Sequence, residues 1–595
     1  MKRRQLFLRH IHLPFHRRIQ TLHKSLSISE RALFYLIAGA FIVSGILLLF
    51  KVNDSLLHDV PRRGGTVVEG VVGAPRFINP LLAISDADRD LTTLVYSGLM
   101  RVNTDGILVP DLAQQYSISD DSLTYTFTLR DDVIFHDTKP VTTADIEYTI
   151  RMAQDPQLRS SKRASWDGVK VNIIDEKTIA FVLPQPYAPF LENTTLGILP
   201  RHIWKNIPVE EFSFSAYNTN PIGSGPYKPQ KPKQNSSGIY DYYVLHPFKE
   251  YSAGYGYIKN LILSFFPNET ALIEAYEKGS VDMINSISPE KARELAQSGT
   301  TVRHTTLPRF FGVFFNQNEA PIFTDKSVRV ALDHAINKDA LIDAVLFGYG
   351  VPLDGPIPPG LLNASDTDTV NEEIRIVDAT STPPIEEAQE MLRNAGWTRD
   401  EETGFFEKNT KQTKATLSFS ISTSDVPELK AAADIVARTW RLVGADVTVK
   451  VFDESDLRQN IIRPRNYDAL LFGGVVGRDL DLYAFWHSSQ RNDPGLNIAM
   501  YTNITADRAL ERARASHDPL ERTAALREFE TTVTQDVPTI FLYAPEFIYV
   551  TRPDVAGITI DHITSPSERF TNVFDWYIEH DRVWKFFTTY TRTAE

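Results

Sequence analysis

The sequence predicts an α/β protein of two or three domains behind one membrane-spanning helix, and three observations carry that expectation. In the second half, Thr416–Ser422, Pro427–Val443, Asp446–Phe452, Ser455–Ile462 and Asp468–Phe472 read as strand, helix, strand, helix, strand. That alternation implies a largely parallel layer with helices on its faces. At 595 residues the chain exceeds what one ordinary core accommodates. Ala32–Phe50 is an uncharged run of 19 residues, close to the roughly 20 that a helix needs to cross a hydrocarbon core.

The run is longer than the ~7–15 residues of a signal-peptide core, and no small-x-small site follows it before Pro61, so it reads as an uncleaved anchor. A late-cleaved signal is the alternative. The first 63 residues hold eleven Lys or Arg against three acids, a formal charge of +8 in a chain of −13, so the remainder carries −21. The basic arm, residues 1–31, belongs in the cytoplasm by the positive-inside tendency, with the large acidic part outside. His10, His12 and His16 in this arm are broken up by Pro14 and read as part of a basic stretch near anionic lipid. An acidic body argues against a nucleic-acid partner. The chain has no cysteine, which removes disulfides, thiol catalysis, iron–sulfur clusters and a lipidated N-terminal Cys.

Residues 51–63 read as a polar linker, and GGTVVEGVVGAPRFINPLLA opens the body with a strand around Val67, Val68, Val71 and Val72. Leu123, Tyr125, Phe127 and Leu129 alternate with threonines, the period of a half-buried strand. Thr142 or Thr143 can cap the helix that follows, with Asp145 in its first turn. PIGSGPY, 221–227, is a turn on any reading. A helix after Asn268 closes at Gly279, and Phe310–Asn316 reads as a buried strand before helices at Ser327–Ile336 and Asp339–Leu346. Ile385–Ala395 is an amphipathic helix closed by Gly396. The Ser/Thr/Asp-rich Asn363–Thr382 reads as a surface loop.

The stretch Leu94–Ile150 resembles the signature region of family 5 extracellular solute-binding proteins, the peptide and nickel receptors of ABC importers. It carries in order an opening helix, the "VPDLA" element at Val109–Ala113, the alternating strand, Phe135-His136-Asp137 and Ala144-Asp145. The resemblance continues through the Gly223-Ser224-Gly225 turn to about Gly557. It implies a two-lobed periplasmic-binding-protein-like fold of class II, with an inserted subdomain in lobe I. The corresponding boundaries are 32–50 for the anchor, 64–92, 220–308 and 545–595 for lobe I and the tail, 93–219 for the insertion, and 309–544 for lobe II. It also implies capture of a solute between the lobes and delivery to ABC permease subunits, with Gly223, Ser224 and Gly225 as hinge.

No enzyme is expected. H-E-x-x-H, G-x-S-x-G and the P-loop pattern are absent, and His136, His304 and His487 are dispersed, so neither a metal site nor a cofactor is expected. The segment LLFGGVVGRDLDLYAFWHSS, 470–489, resembles the family's cleft strand and loop, where backbone pairs with a peptide and an Asp holds its α-amino group. The ungapped position of that Asp falls near Val476, so Asp479 or Asp481 takes the role if the loop is shifted. Both read equally well as solvated loop residues. Gly473, Gly474 and Val475 suit close approach of a second backbone, or a bulge. Trp486, Phe311, Phe314 and Asn316 are candidate lining residues, though such aromatics also build cores. The function expected is a membrane-anchored, extracytoplasmic protein that captures a solute, a peptide above others. An anchored peptide receptor or chaperone-like protein that kept the fold without transport is the alternative, and a secreted hydrolase lacks its motifs. The topology makes a first testable statement: protease added to intact cells digests the chain beyond Lys51 and spares Met1–Arg31, and a protected large domain would contradict it.

Overall fold

The Glu30 backbone N–H donates to the Ser27 hydroxyl while the Glu30 carboxylate accepts from the Ser27 N–H, and from this capping box helix α1 runs over Ile28–Leu56. None of its residues is buried, and its middle is apolar all round. The structure is a computed structural model that describes residues 27–236, 238–362, 384–409 and 414–584. It divides into a small unit, which joins the residues up to Arg62 with those from Glu579 on, and a large unit, Arg63–Ile578. Residues 51–63 do not form the expected linker. Lys51–Leu56 prolong α1, and β1, Leu57–Arg62, pairs antiparallel with the C-terminal strand Glu579–Trp584.

In the large unit, β2 (Gly64–Val72) leads to α2 (Asp86–Val95) and then to the insertion. There β3 (Ala113–Ile118), β4 (Thr124–Leu129), β5 (Lys170–Ile173) and β6 (Thr178–Val182) form one antiparallel sheet in the order β3-β4-β6-β5. The alternation is real: Tyr125, Phe127 and Leu129 are buried and the intervening threonines half-buried. The Asp145 carboxylate accepts from the Thr142 N–H at 2.9 Å and from the Arg201 N–H at 2.8 Å, so this helix start also fixes a distant loop. The insertion shares its core with lobe I, because Phe127 and Phe181 belong to the same apolar cluster as Val67 and Trp576.

Lobe I continues with β7 (Tyr240–Pro247), β8 (Ile258–Phe266), β9 (Met283–Asn285) and β10 (Val302–Thr306). Lobe II holds β11 (Arg309–Phe315), β12 (Ser418–Ser424), α3 (Pro427–Val443), β13 (Asp446–Phe452) and β14 (Ala469–Val475). The chain returns in β15, Thr539–Val550, and ends in β16, Glu579–Trp584. Helix α3 has the predicted bounds. Pro427 suits the first turn, Gly444 at φ 112° takes the left-handed cap, and Ala433, Val436, Ala437 and Trp440 bury one face. The expected helix 455–462 is present, as one α-helical turn, Glu454–Asp456, that runs directly into a wider π-helix at Leu457–Ile462. Asn363–Thr382 and the histidines of the arm lie outside the described residues.

The sheet is mixed rather than largely parallel. β2 pairs parallel with β8 and β9, and β12 with β13 and β14, but β11 and β15 run antiparallel to their neighbours because they carry the chain between the lobes. β15 belongs to both lobes: its first half pairs with β11 and its second half with β9 and β10. The crossings fall at 306–309 and 544–546, each with a proline, Pro308 and Pro545, which donates no ladder bond.

Beneath the apolar cluster of lobe I lies a charged centre. Arg569, fully buried, donates through Nε to Glu69 Oε1 at 2.7 Å and through its two terminal nitrogens to the Asp90 carboxylate at 2.8 and 2.6 Å. Asn285 and Tyr549 complete Glu69 at 3.0 and 2.8 Å. Burial pushes both carboxyls up from their ordinary values, against the pull of the guanidinium. Removing the cation strands two buried acids, so Arg569→Met should destabilise the protein by about 3–5 kcal/mol in urea unfolding, and adding Glu69→Gln and Asp90→Asn should restore most of the loss. Equal instability of the triple variant would contradict this.

Candidate functional site

The cleft loop begins where β14 leaves the sheet. Phe311, Phe310 and Arg309 of β11 face Gly473, Gly474 and Val475 in register. β12 pairs with β14 only at Ala469 and Leu470, so the described ladder gives residues 472–475 a partner on the β11 side alone. Added Cβ atoms would stand 2.6 Å from the Phe311 ring at Gly473 and 2.7 Å from the Phe310 ring at Gly474. These glycines therefore accommodate rings of the neighbouring strand; no bulge interrupts the β11–β14 register.

Beyond Val475 the loop reaches lobe I. The Arg478 guanidinium donates to the Gly106 and His562 carbonyls, at 3.3 and 2.9 Å, and pairs with Glu568 at 2.5 Å and Glu192 at 3.6 Å. The Asp481 carboxylate accepts from the Tyr187 hydroxyl at 3.1 Å and pairs with Arg514 at 3.3 Å. Arg514 in turn lies over the Tyr187 and Tyr483 rings, at 5.0 and 4.6 Å, and its carbonyl accepts from the Ala188 N–H at 2.9 Å. Tyr125 of the insertion and His517 of lobe II also bond to each other. These contacts hold the lobes together.

Asp479 differs from Asp481. Among the described residues its carboxylate has no ion-pair partner; it accepts only the Asp481 N–H, at 3.4 Å, while Arg522 bonds to its carbonyl oxygen. Burial, with the Asp481 charge beside it, pushes the Asp479 carboxyl up to about 6, against the attraction of the nearby Arg522 guanidinium. Burial likewise pushes Glu192 up to about 7, against Arg478 and with help from Glu568 and Asp479. On the lobe I side Glu192, with Glu568, borders a cavity of about 540 Å³, within the range usual for small-ligand sites; Asp479 is not among its lining residues. Its wall includes Arg89, Thr92, Lys162, Trp166, Glu192 and Glu568. Acidic groups thus gather near the lobe II loop and cations on α2 and the insertion.

The other predicted residues fall elsewhere. Trp486 is fully buried in the lobe II core, packed on Phe310, Phe314 and Phe541, and Phe314 lies in the same cluster. Asn316 is buried too, its side-chain N–H donating to the Arg465 carbonyl at 2.8 Å and its oxygen accepting from the Asn318 N–H. Phe311 is half-buried and stacked on Tyr543 at 5.4 Å. The turn Gly223-Ser224-Gly225 lies inside lobe I, away from both crossings. Gly225 N–H donates to the Val95 carbonyl at 2.8 Å, and a Cβ at Gly223 would stand 2.1 Å from that oxygen. His136 clamps the turn, accepting from Gly223 N–H and donating to Gly225 O, and burial holds it neutral with its pKa lowered to about 4. His304 pairs with Glu546, and His487 stacks on Tyr483. Sequence reasoning missed Arg478, Glu192 and Lys162, which no local pattern marks.

Residues 108–495 match the family model described as bacterial extracellular solute-binding proteins, family 5 Middle. The chain belongs to that family. Oligopeptide-binding protein AppA of Bacillus subtilis is 26% identical over 526 residues, 87% of this chain and 92% of the relative. The nickel-binding periplasmic protein of Escherichia coli is 26% identical over 493 residues, 78% and 86% of the two chains. The solved structure of B. subtilis AppA with a nonapeptide superposes with a TM-score of 0.63 at 23% identity, over 87% of this chain and all of the other. The two-lobed fold of this family 5 solute-binding protein is therefore shown. Its cleft chemistry has a pH signature. A carboxyl whose pKa is raised in the folded state adds stability below its ordinary value, and that stability fades as pH climbs through the raised one. Asp479→Asn should thus raise the melting temperature of the solute-free protein at pH 7.5 and leave it nearly unchanged at pH 4; the same shift at both would contradict a half-buried Asp479 whose charged form is disfavoured.

Proposed function

We propose that this solute-binding protein captures a peptide between its lobes and hands it to an ABC import permease, acting by binding and not by catalysis. The observation that carries the reading is Asp479, a desolvated carboxylate with no ion-pair partner among the described residues, close to the unpaired edge of β14. A half-buried charge without an ion pair is costly, and a solute ammonium would satisfy it with a charge-assisted bond. The open edge at 472–475 suits an extended backbone, and closure buries both against lobe I. Asp481 is already held by Tyr187 and Arg514, so it serves closure rather than recognition. Lys162 and Arg89 on the cavity wall suit a carboxylate or an acidic side chain of the solute. The crossings at 306–309 and 544–546 serve as the hinge. Helix α1 anchors the protein, with the basic arm cytoplasmic and the lobes outside; support comes from its length, its mean apolarity and the charge step at Ala32. A relative that binds oligopeptides supports the solute class.

Calorimetry with trialanine and N-acetyl-trialanine tests it. Trialanine should bind, acetylation should weaken it at least about ten-fold, and Asp479→Asn should cost about 1.5–3 kcal/mol while removing that discrimination. Equal binding of both forms by the native protein would remove the amine-reading role, and fragments accumulating on long incubation would show an enzyme instead.

A further inference from the structure

The cavity of lobe I carries positive charge that its own acids do not use. Arg89 and Thr92, three residues apart on α2, share a face and line it; Lys162 and Trp166 line it from the insertion. The acids of the wall are engaged. Glu192 and Glu568 hold Arg478, Glu568 also accepts from the Thr564 N–H and hydroxyl at 2.8 and 2.7 Å, and Asp111 accepts from the Ser252 hydroxyl. Arg101 is answered by Asp111 and by the Phe574 ring, 5.6 Å from its guanidinium. The other cations are not answered. Among the described residues Arg89 pairs only with Asp86, its neighbour on α2, at 3.0 Å, and the Lys162 ammonium has neither an ion pair nor a hydrogen bond. Desolvation at the wall, with the Arg89 charge beside it, lowers the Lys162 pKa against the pull of Glu192. Arg309 adds a third cation without an ion pair among the described residues; it feels the charges of Asp86 and Arg89 and stands opposite Val475, at the open edge of β14. The Thr92 hydroxyl oxygen is buried and has no hydrogen-bond partner among the described residues. Like charges held beside an idle buried hydroxyl are costly, and an anion set among them relieves both. Arg478 relates this wall to Asp479: its guanidinium touches two wall residues, and Asp479 is the next residue along the chain. A peptide whose ammonium meets Asp479 therefore starts beside the cavity, and its first side chain is the group near enough to enter.

We propose that the cavity reads an acidic side chain on the first residue of the peptide, a glutamate or aspartate whose carboxylate lies between Lys162 and Arg89 and accepts from the Thr92 hydroxyl. The inference rests on capture of a peptide amine at Asp479. The two charges of such a residue are the two that the site lacks. Asp479 offers an anion without a cation, and the wall of α2 and the insertion offers cations without an anion. An apolar first side chain leaves those cations and Thr92 unanswered, so Lys162 and Arg89 determine specificity by what they refuse as well as by what they hold.

Calorimetry of the full chain in detergent with C-terminally amidated peptides tests it, because amidation leaves one side chain as the only acid. Glu-Ala-Ala amide should bind at least about ten-fold more tightly than Gln-Ala-Ala amide, and Ala-Ala-Glu amide should show no such gain over Ala-Ala-Gln amide. Lys162→Gln should bring the Glu-to-Gln ratio close to one, Arg89→Gln should reduce it, and Lys162→Arg should keep it. The ratio is taken within one variant, so a damaged fold would show as loss of both peptides rather than as loss of preference. Equal binding of the Glu-Ala-Ala and Gln-Ala-Ala amides by the native protein overturns the acidic reading and leaves peptide capture standing. An equal gain from a glutamate at the third position, or a preference that survives Lys162→Gln and Arg89→Gln together, overturns it as well. If neither these peptides nor trialanine bind, peptide capture and this inference fall together.

Discussion

The guanidinium of Arg569 is the point at which lobe I is tied together. It joins Glu69 in the first strand of the large unit, Asp90 on α2 and its own C-terminal turn, and through Glu69 it reaches Asn285 on β9 and Tyr549 on β15. None of these charges meets water, so each depends on the others being in place. The consequence extends to the site. Glu568 and Phe570, the neighbours of Arg569, line the cavity, and Glu568 is a partner of Arg478 across the cleft. The wall of that cavity is thus tied to a buried ion network.

In the proposed reading, closure and recognition are divided between neighbouring residues of one loop. Arg478 and Asp481 are satisfied by lobe I through Glu192, Glu568 and Tyr187. Asp479 between them is not, and it is left desolvated by the same closure. If the proposed role of Asp479 holds, a cationic group relieves its desolvated carboxylate, and binding a solute ammonium and closing the lobes favour each other.

Much of the fold was legible because its signals are local. Pro427 and Gly444 bound α3, Asn268 caps the helix after it with a bond to the Ala271 N–H, and the threonine-spaced strand is half-buried as its period requires. The order of such elements carried the family. The site was legible only in outline. The glycines at 473 and 474 and the acids at 479 and 481 stand out by type, but an aromatic looks the same in sequence whether it fills a core, as Trp486 and Phe314 do, or faces a cleft. Gly223 and Gly225 signal tight packing, which their approach to Val95 confirms, and say nothing of motion. Arg478 could not be paired with Glu568, 90 residues on, nor could β1 be paired with the C-terminal strand, because both contacts are made by the fold.

The most direct test of solute capture at an unpaired carboxylate is to identify what the protein carries. Purified without denaturation, then unfolded, it should release an intact compound with a free amino group and the mass of a peptide, in roughly one copy per chain, as judged by mass spectrometry. Release of compounds that all lack an amino group would contradict the account.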